Sequence, residues 1–270
     1  MSTNEKNNRD IDKGLLEFTL RLADDRLVLG HRLSELCGHG PILEEDIATT
    51  NTALDLIGQA KALYEYAAEI ENGKQEIDVE TNTPGDRYAY FRDVMDFKNI
   101  LLVEQPNGDF ASQMMRQFIF DAYDYSLMRR LVNSSDSTLA AVAGKAIKEA
   151  TYHLRHSGQW VIKMGDGTEE SAKRLKEAVD DLWMYSGELL ENDEVYSRLS
   201  ERGIAPHMSE IEEEWKGTIE KIFNEAKLEK PDPETFFMQS GGRGGTHSEE
   251  LGHLLATMQS LARTYPKAEW

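Results

Sequence analysis

Cysteine is nearly absent from this chain. Cys37 is the only one among 270 residues, so no intrachain disulfide can form, and a reducing cytoplasm is the simplest setting. Only seven prolines occur. Five of them (Pro41, Pro84, Pro106, Pro231 and Pro233) lie in evident turns or near the chain ends, which leaves long stretches free to be helical. No apolar run reaches the roughly 18 residues of a membrane span. The opening "MSTNEKNNRDIDKG" has no apolar core of a signal peptide. Basic side chains are outnumbered, 30 against 49 acidic, for a formal net charge of −19. Such a surface repels phosphate backbones and anionic lipid, so neither nucleic acid nor membrane is expected as a partner; a protein with a basic face is.

What is present is helical periodicity, from residue 14 onward. "GLLEFTLRLADDRLVLGHRLSELCG" reads as a first helix, apolar almost all round and so central in a bundle. Gly38 and Gly40 end it. "LEEDIATTNTALDLIGQAKALYEYAAEIENG" is a second, with an acidic first turn and Gly73 at its close. "RYAYFRDVMDFKNILLVEQ" is a third helical stretch. A fourth follows the turn at "PNGD" and ends near Arg129 and Arg130, and a fifth runs through "STLAAVAGKAIKEATYHLRHSGQWVIKMGDG". Two more are expected at about 169–191 and 209–227. A last one opens at "THSEELGH", where Thr246 and Glu249 have capping-box spacing. No strand pattern and no fixed repeat stands out. The class is all-α: a long four-helix core with additional C-terminal helices, one domain over 14–270 behind a disordered or extended leader at 1–13.

The stretch "KEATYHLRHSGQW" raises a metal question. Glu149, His153 and His156 fall within about 60° of one another on a helix. Dinuclear carboxylate bundles use one Glu from each of two helices and a Glu-x-x-His pair from each of the other two. Here no histidine lies between His39 and His153. Glu149 and His153 are spaced i, i+4, and the one formal match, Glu250-x-x-His253, sits in the last short helix without a mate. An intact site is therefore not expected, and no metal or catalytic residue is assigned.

Polar residues still recur at interior-looking positions. Asp24 and Asp25 interrupt the first helix. Asn51, Asp55 and Gln59 form a stripe on the second. Asp121 and Asp124 sit on the fourth, Glu149, His153 and His156 on the fifth. One reading leaves some of them in water. The sharper one makes Asp24, Asp55, Asp121, Glu149 and His153 a buried cluster where metals sit in an active relative. Arg21, Arg26, Arg129 or Arg155 would then neutralise it, because unpaired buried charge is costly.

Four blocks, "TLRLADDRLVLGHRLSELCGHGP", "LDLIGQAKALYEYAAE", "NILLVEQPNGDFA" and "KAIKEATYHLRHSGQW", resemble the family of the structural (C) subunit of bacterial phenylacetyl-CoA 1,2-epoxidases. "GGRGGTHSEELG", "LATMQSL" and the terminal Trp270 fit as well, and the resemblance runs from about Leu16 to Trp270. It implies a ferritin-like fold and a place in a multicomponent monooxygenase of aerobic phenylacetate degradation. In that family the di-iron centre belongs to a related catalytic subunit, with which the structural, non-catalytic subunit pairs. A further small subunit bridges such pairs, and a reductase supplies electrons from NADPH through FAD and an iron–sulfur cluster. The structural subunit itself carries no cofactor. The resemblance also places phenylacetyl-CoA near the interface of the paired subunits, by position against Asp96, Phe97, Lys98 and Asn99 and against Ser197, Arg198 and Leu199. Phe97 would pack on an apolar part of CoA, and Lys98 or Arg198 would meet a phosphate.

"GGRGGT" lacks the Lys-Ser/Thr of a P-loop and follows no strand, so it reads as a flexible hinge that lets the last helix dock. Phe118, Phe120, Tyr123 and Tyr125 read as bundle core, and "SEIEEEW" and "ELLENDEVY" as solvated faces. Two other functions stay open at this point: a metal-dependent oxidase or oxygenase in its own right, and a stand-alone acyl-CoA-binding helical module.

Overall fold

The structure is a computed structural model that describes residues 3–72, 84–231 and 237–266, with the backbone alone for 3–11 and 72. Ten α-helices occur among the described residues: α1 Thr3–Ser34, α2 Leu43–Asn72, α3 Asp86–Tyr90, α4 Leu101–Glu104, α5 Phe110–Leu131, α6 Ser137–Gly165, α7 Glu169–Leu182, α8 Glu194–Glu201, α9 Met208–Glu225 and α10 Glu249–Thr264. Among them α1, α2, α5 and α6 form the long core. α1 packs chiefly on α2 and α5 on α6, and α2 meets α6 to join the two pairs. α7 and α9 close over α5 and α6, while α8 and α10 cover α1. No helix among the described residues is long and apolar enough to cross a membrane.

Side-chain caps explain four of the starts. Asp109, Asp136 and Asp193 each accept backbone N–H groups from the first turn of α5, α6 and α8, and Thr168 with Ser171 forms a reciprocal capping box for α7. Such caps satisfy amides that a helix leaves without partners. α1 is buried on every side from Arg21 to Gly30, as a helix apolar almost all round implied, and its charged residues there are buried with it. Gly30 marks the closest approach of α1 to α2: a Cβ there would lie 2.8 Å from Ile57 Cγ1 and 3.2 Å from the Ala53 carbonyl.

Several expectations are corrected. α1 begins at Thr3, inside the stretch expected to be a leader. The third helical stretch is not one helix but α3, a 3₁₀ turn at Val94–Asp96, an extended run and the single turn α4. The helix expected at 169–191 ends at Leu182 and passes into two 3₁₀ turns, Trp183–Tyr185 and Gly187–Leu190. α8 was not foreseen. The Thr246–Glu249 capping box does not form: α10 starts after Ser248, and the Thr246 amide donates to the Gly241 carbonyl instead. Gly73, Pro233 and Trp270 lie outside the described residues.

The loop expected to be a hinge is a packed clamp. Gly241 and Gly245 hold φ of 142° and 84°, the region that favours glycine. A Cβ on Gly242 would sit 2.2 Å from the Asn99 carbonyl. The Gly241 and Arg243 amides both donate to Glu188 Oε1, each at 3.1 Å. The turn thus locks the C-terminal segment onto the irregular run between α3 and α4.

Candidate functional site

The middle of the four-helix core is a polar layer that ties all four helices together. Arg26 of α1, 1% exposed, is its hub. Its guanidinium donates to Asp124 of α5, to Gln59 Oε1 of α2 at 2.8 Å, and to the Leu22 carbonyl one turn back. Gln59 in turn donates from Nε2 to Glu149 of α6 at 2.7 Å. Beside this chain, His153 Nε2 of α6 meets Asp55 of α2 at 3.0 Å. Asp121 of α5 accepts from Ser157 Oγ and Gln117 Nε2, each at 2.7 Å. Burial pushes the Asp121 carboxyl up to about 7, against the charge of His153 and those two donors.

Asp24 does not belong to that layer. It accepts from Tyr64 at 2.5 Å, from the Lys98 amide at 2.7 Å, and from the Arg92 guanidinium, none of which touches the other four expected members. Asp25 works the same way, taking the Ile100 amide at 2.9 Å and both terminal nitrogens of Arg243 at 2.8 and 3.0 Å. Burial raises the Asp25 carboxyl, and Arg243 opposes that rise. Glu188 Oε2 accepts the Leu101 amide at 2.8 Å. Three buried carboxylates therefore supply the hydrogen bonds that an extended run at 97–101 cannot make with itself. Glu104 completes this second set. It takes Asn99 Nδ2, the Ser248 amide and hydroxyl, and His247 Nδ1. His247 Nε2 donates to the Phe97 carbonyl at 3.0 Å, so both ring nitrogens carry protons. Burial works against that charge, but the Glu104 hydrogen bond and charge win, and the His247 pKa is raised.

Arg26 was among the four cations expected to neutralise the core. The other three lie elsewhere: Arg21 with Glu17 and Asp193, Arg129 with Glu214, and Arg155 over the Tyr152 ring. Arg92 and Arg243 were missed. The only available signal was an arginine set between glycines in "GGRGG". Asn51 is exposed, His156 pairs with Glu45 at 2.8 Å, and Glu250 lies beside Arg32 while His253 faces solvent.

The donor set does not fit a dinuclear metal centre. Asp55, Asp121 and Glu149 each accept from a side chain of this chain, one imidazole stands among them, and Asp24 is spent on another segment. Among the described residues, no three or more His, Cys, Asp or Glu side chains converge where they could hold an ion. The positions carried over for CoA divide by access. Phe97, Asn99 and Leu199 are buried, with Phe97 beneath the Arg92 guanidinium at 4.2 Å. Asp96 and Arg198 are exposed, Lys98 and Ser197 half-buried, and Arg198 pairs with Glu194. The side chain expected to pack on CoA is therefore in the core.

A ferritin-like helical bundle whose polar centre is satisfied by its own side chains is the class that this fold and site define. The chain belongs to the family described as phenylacetic acid catabolic protein, which matches residues 1–270. It is similar to the C subunit of 1,2-phenylacetyl-CoA epoxidase from Escherichia coli (strain K12), with 43% identity over 256 residues, covering 95% of this chain and 99% of that protein.

Two outcomes follow. Arg26→Met leaves Asp124 buried without its cation and destabilises the fold by about 3–5 kcal/mol in urea unfolding. Adding Asp124→Asn recovers roughly 1 kcal/mol or more of that loss, because the two residues share one interaction. His247 holds its proton more tightly folded than unfolded, so its contribution is complete below the ordinary pKa of 6.5 and fades as pH rises through the higher folded value. The stability gap between wild type and His247→Ala accordingly narrows as pH rises above 6.5, as measured by urea midpoints.

Proposed function

We propose that this chain is the structural, non-catalytic subunit of a phenylacetyl-CoA 1,2-epoxidase, pairing with and stabilising the di-iron catalytic subunit in aerobic phenylacetate degradation. The observation that carries this reading is the committed polar layer. Where a catalytic bundle offers carboxylates to metal, here Arg26, Gln59, His153 and Ser157 take them up. The similarity to a relative named as the C subunit of such an epoxidase supports the assignment.

In this reading the chain works through contact. The Arg26 layer and the Glu188–Arg243 clamp make its helices rigid, and a rigid face holds the partner's helices at lower entropic cost than a mobile one. Electrons from NADPH, passing through FAD and an iron–sulfur cluster of the reductase, go to the catalytic subunit, and the small subunit bridges the catalytic–structural pairs. The CoA thioester lies near the interface within each pair. Lys98 and Arg198 are the cations of the two carried-over stretches with access to its phosphates, Arg198 by exchanging its Glu194 partner. The exposed free Cys37 is in keeping with a reducing cytoplasm.

Co-expression tests the reading. The catalytic subunit co-purifies with this chain. Its phenylacetyl-CoA-dependent oxygen uptake, measured with the reductase, falls at least about tenfold when the chain is omitted, roughly 1.4 kcal/mol in rate terms. A chain that stays monomeric beside a fully active catalytic subunit contradicts it.

A further inference from the structure

Between α2 and α6 runs an open groove of about 510 Å³. It exists because small residues (Gly58, Ala62 and Ala141) stand where larger ones would close the gap between the helices. Gly58 is exposed, and a Cβ there would meet nothing within 4 Å. The edges are apolar: Leu54, 62% exposed, on α2 and Val142 on α6. Further along α2, Leu43 and Ile47 lie exposed within about 40° of Leu54 around the helix, and Tyr152 continues the exposed apolar surface on α6.

The charge of the groove is one-sided. Asp55, Glu65, Glu69 and Glu149 line it against a single cation, Lys145, with Lys61 on the rim 4.0 Å from Glu65. Two of the acids are fixed in place from behind: Asp55 by His153 and Glu149 by Gln59. Held carboxylates flanked by apolar edges, in a trough between two helices, match a third helix bearing a cation at its centre and aliphatic side chains on either side. A CoA phosphate is repelled by the same four acids. A second copy of the chain would bring an identical acidic trough and a net charge of −19.

We infer that the α2–α6 groove is a docking site for a helix of the catalytic subunit, whose central lysine or arginine meets Asp55 and Glu149 while its apolar flanks cover Leu54 and Val142. The inference rests on the function proposed above and adds to it the face and the chemistry of the contact.

Binding of the purified catalytic subunit to the full chain tests it, with two variants that act by different means. Gly58→Trp fills the trough at a position with free space. Glu65→Arg with Glu69→Arg reverses its charge on exposed or rim positions. Glu220→Arg on α9 is the control for a charge change elsewhere. Each groove variant weakens the dissociation constant at least about tenfold at unchanged melting temperature, whereas the control binds as wild type. Raising salt from about 50 to 300 mM weakens wild-type binding and affects the double variant less. Wild-type affinity in both groove variants overturns the inference and leaves the proposed function standing. If wild type does not bind the catalytic subunit at all, both fall together.

Discussion

The structure depends on the ion pair between Arg26 and Asp124 in the middle of the bundle. Both side chains are almost wholly out of water. Neither charge is tolerable there alone, because desolvation of a lone buried ion costs several kcal/mol even after relaxation. Together, with Gln59 and the Leu22 carbonyl each taking a further guanidinium donor, they fix the rotation of α1 against α5 and α2. Glu149 then joins through Gln59, so α6 is drawn into the same register. An aliphatic core of equal volume would hold the helices together without specifying one alignment of them as tightly.

A second constraint grows from the same helix. α1 carries Asp24 and Asp25 side by side, and both reach the extended run that interrupts the chain between α3 and α4. That run needs acceptors for its amides, and the carboxylates need cations, which Arg92 and Arg243 supply. The Gly-rich turn serves this arrangement, since only residues without Cβ fit against the Asn99 and Met95 carbonyls at positions 242 and 245. Glu104 and His247 then seat α10 on the same platform. What looks like a polar core is two structural devices, one aligning long helices and one sustaining an irregular crossing.

Much of this was legible from residue order. The 3.6-residue period placed the four long helices, and the burial of α1 followed from its lack of a polar face. Helix faces grouped Asp55, Asp121, Glu149 and His153, of which Asp121 and His153 are buried while Asp55 and Glu149 are half-buried beside a groove, and the separate role of Asp24 was not legible. Sequence assigns a residue to a helix and a face; it does not say which distant backbone that face meets. The third stretch misled for the same reason. Phe97, Ile100, Leu102 and Val103 keep a helical rhythm, yet the amides at 98, 100 and 101 are held by carboxylates far away in sequence. Arg92 gave no signal and Arg243 only its place in "GGRGG", because their partners lie 68 and 218 positions distant. For Phe97 and Leu199, apolar character in the core outweighed position by resemblance.

In this bundle the carboxylates of the polar layer are bound by the chain's own donors, Arg26, Gln59, His153 and Ser157, which stand where a metal would meet the ligand lone pairs. Metal analysis of the isolated chain, produced and purified with ferrous iron or manganese in excess, tests this most directly. The account predicts well under one tightly bound ion per chain, on the ligand count that a dinuclear bundle site requires. About two ions per chain, retained through gel filtration, would contradict it.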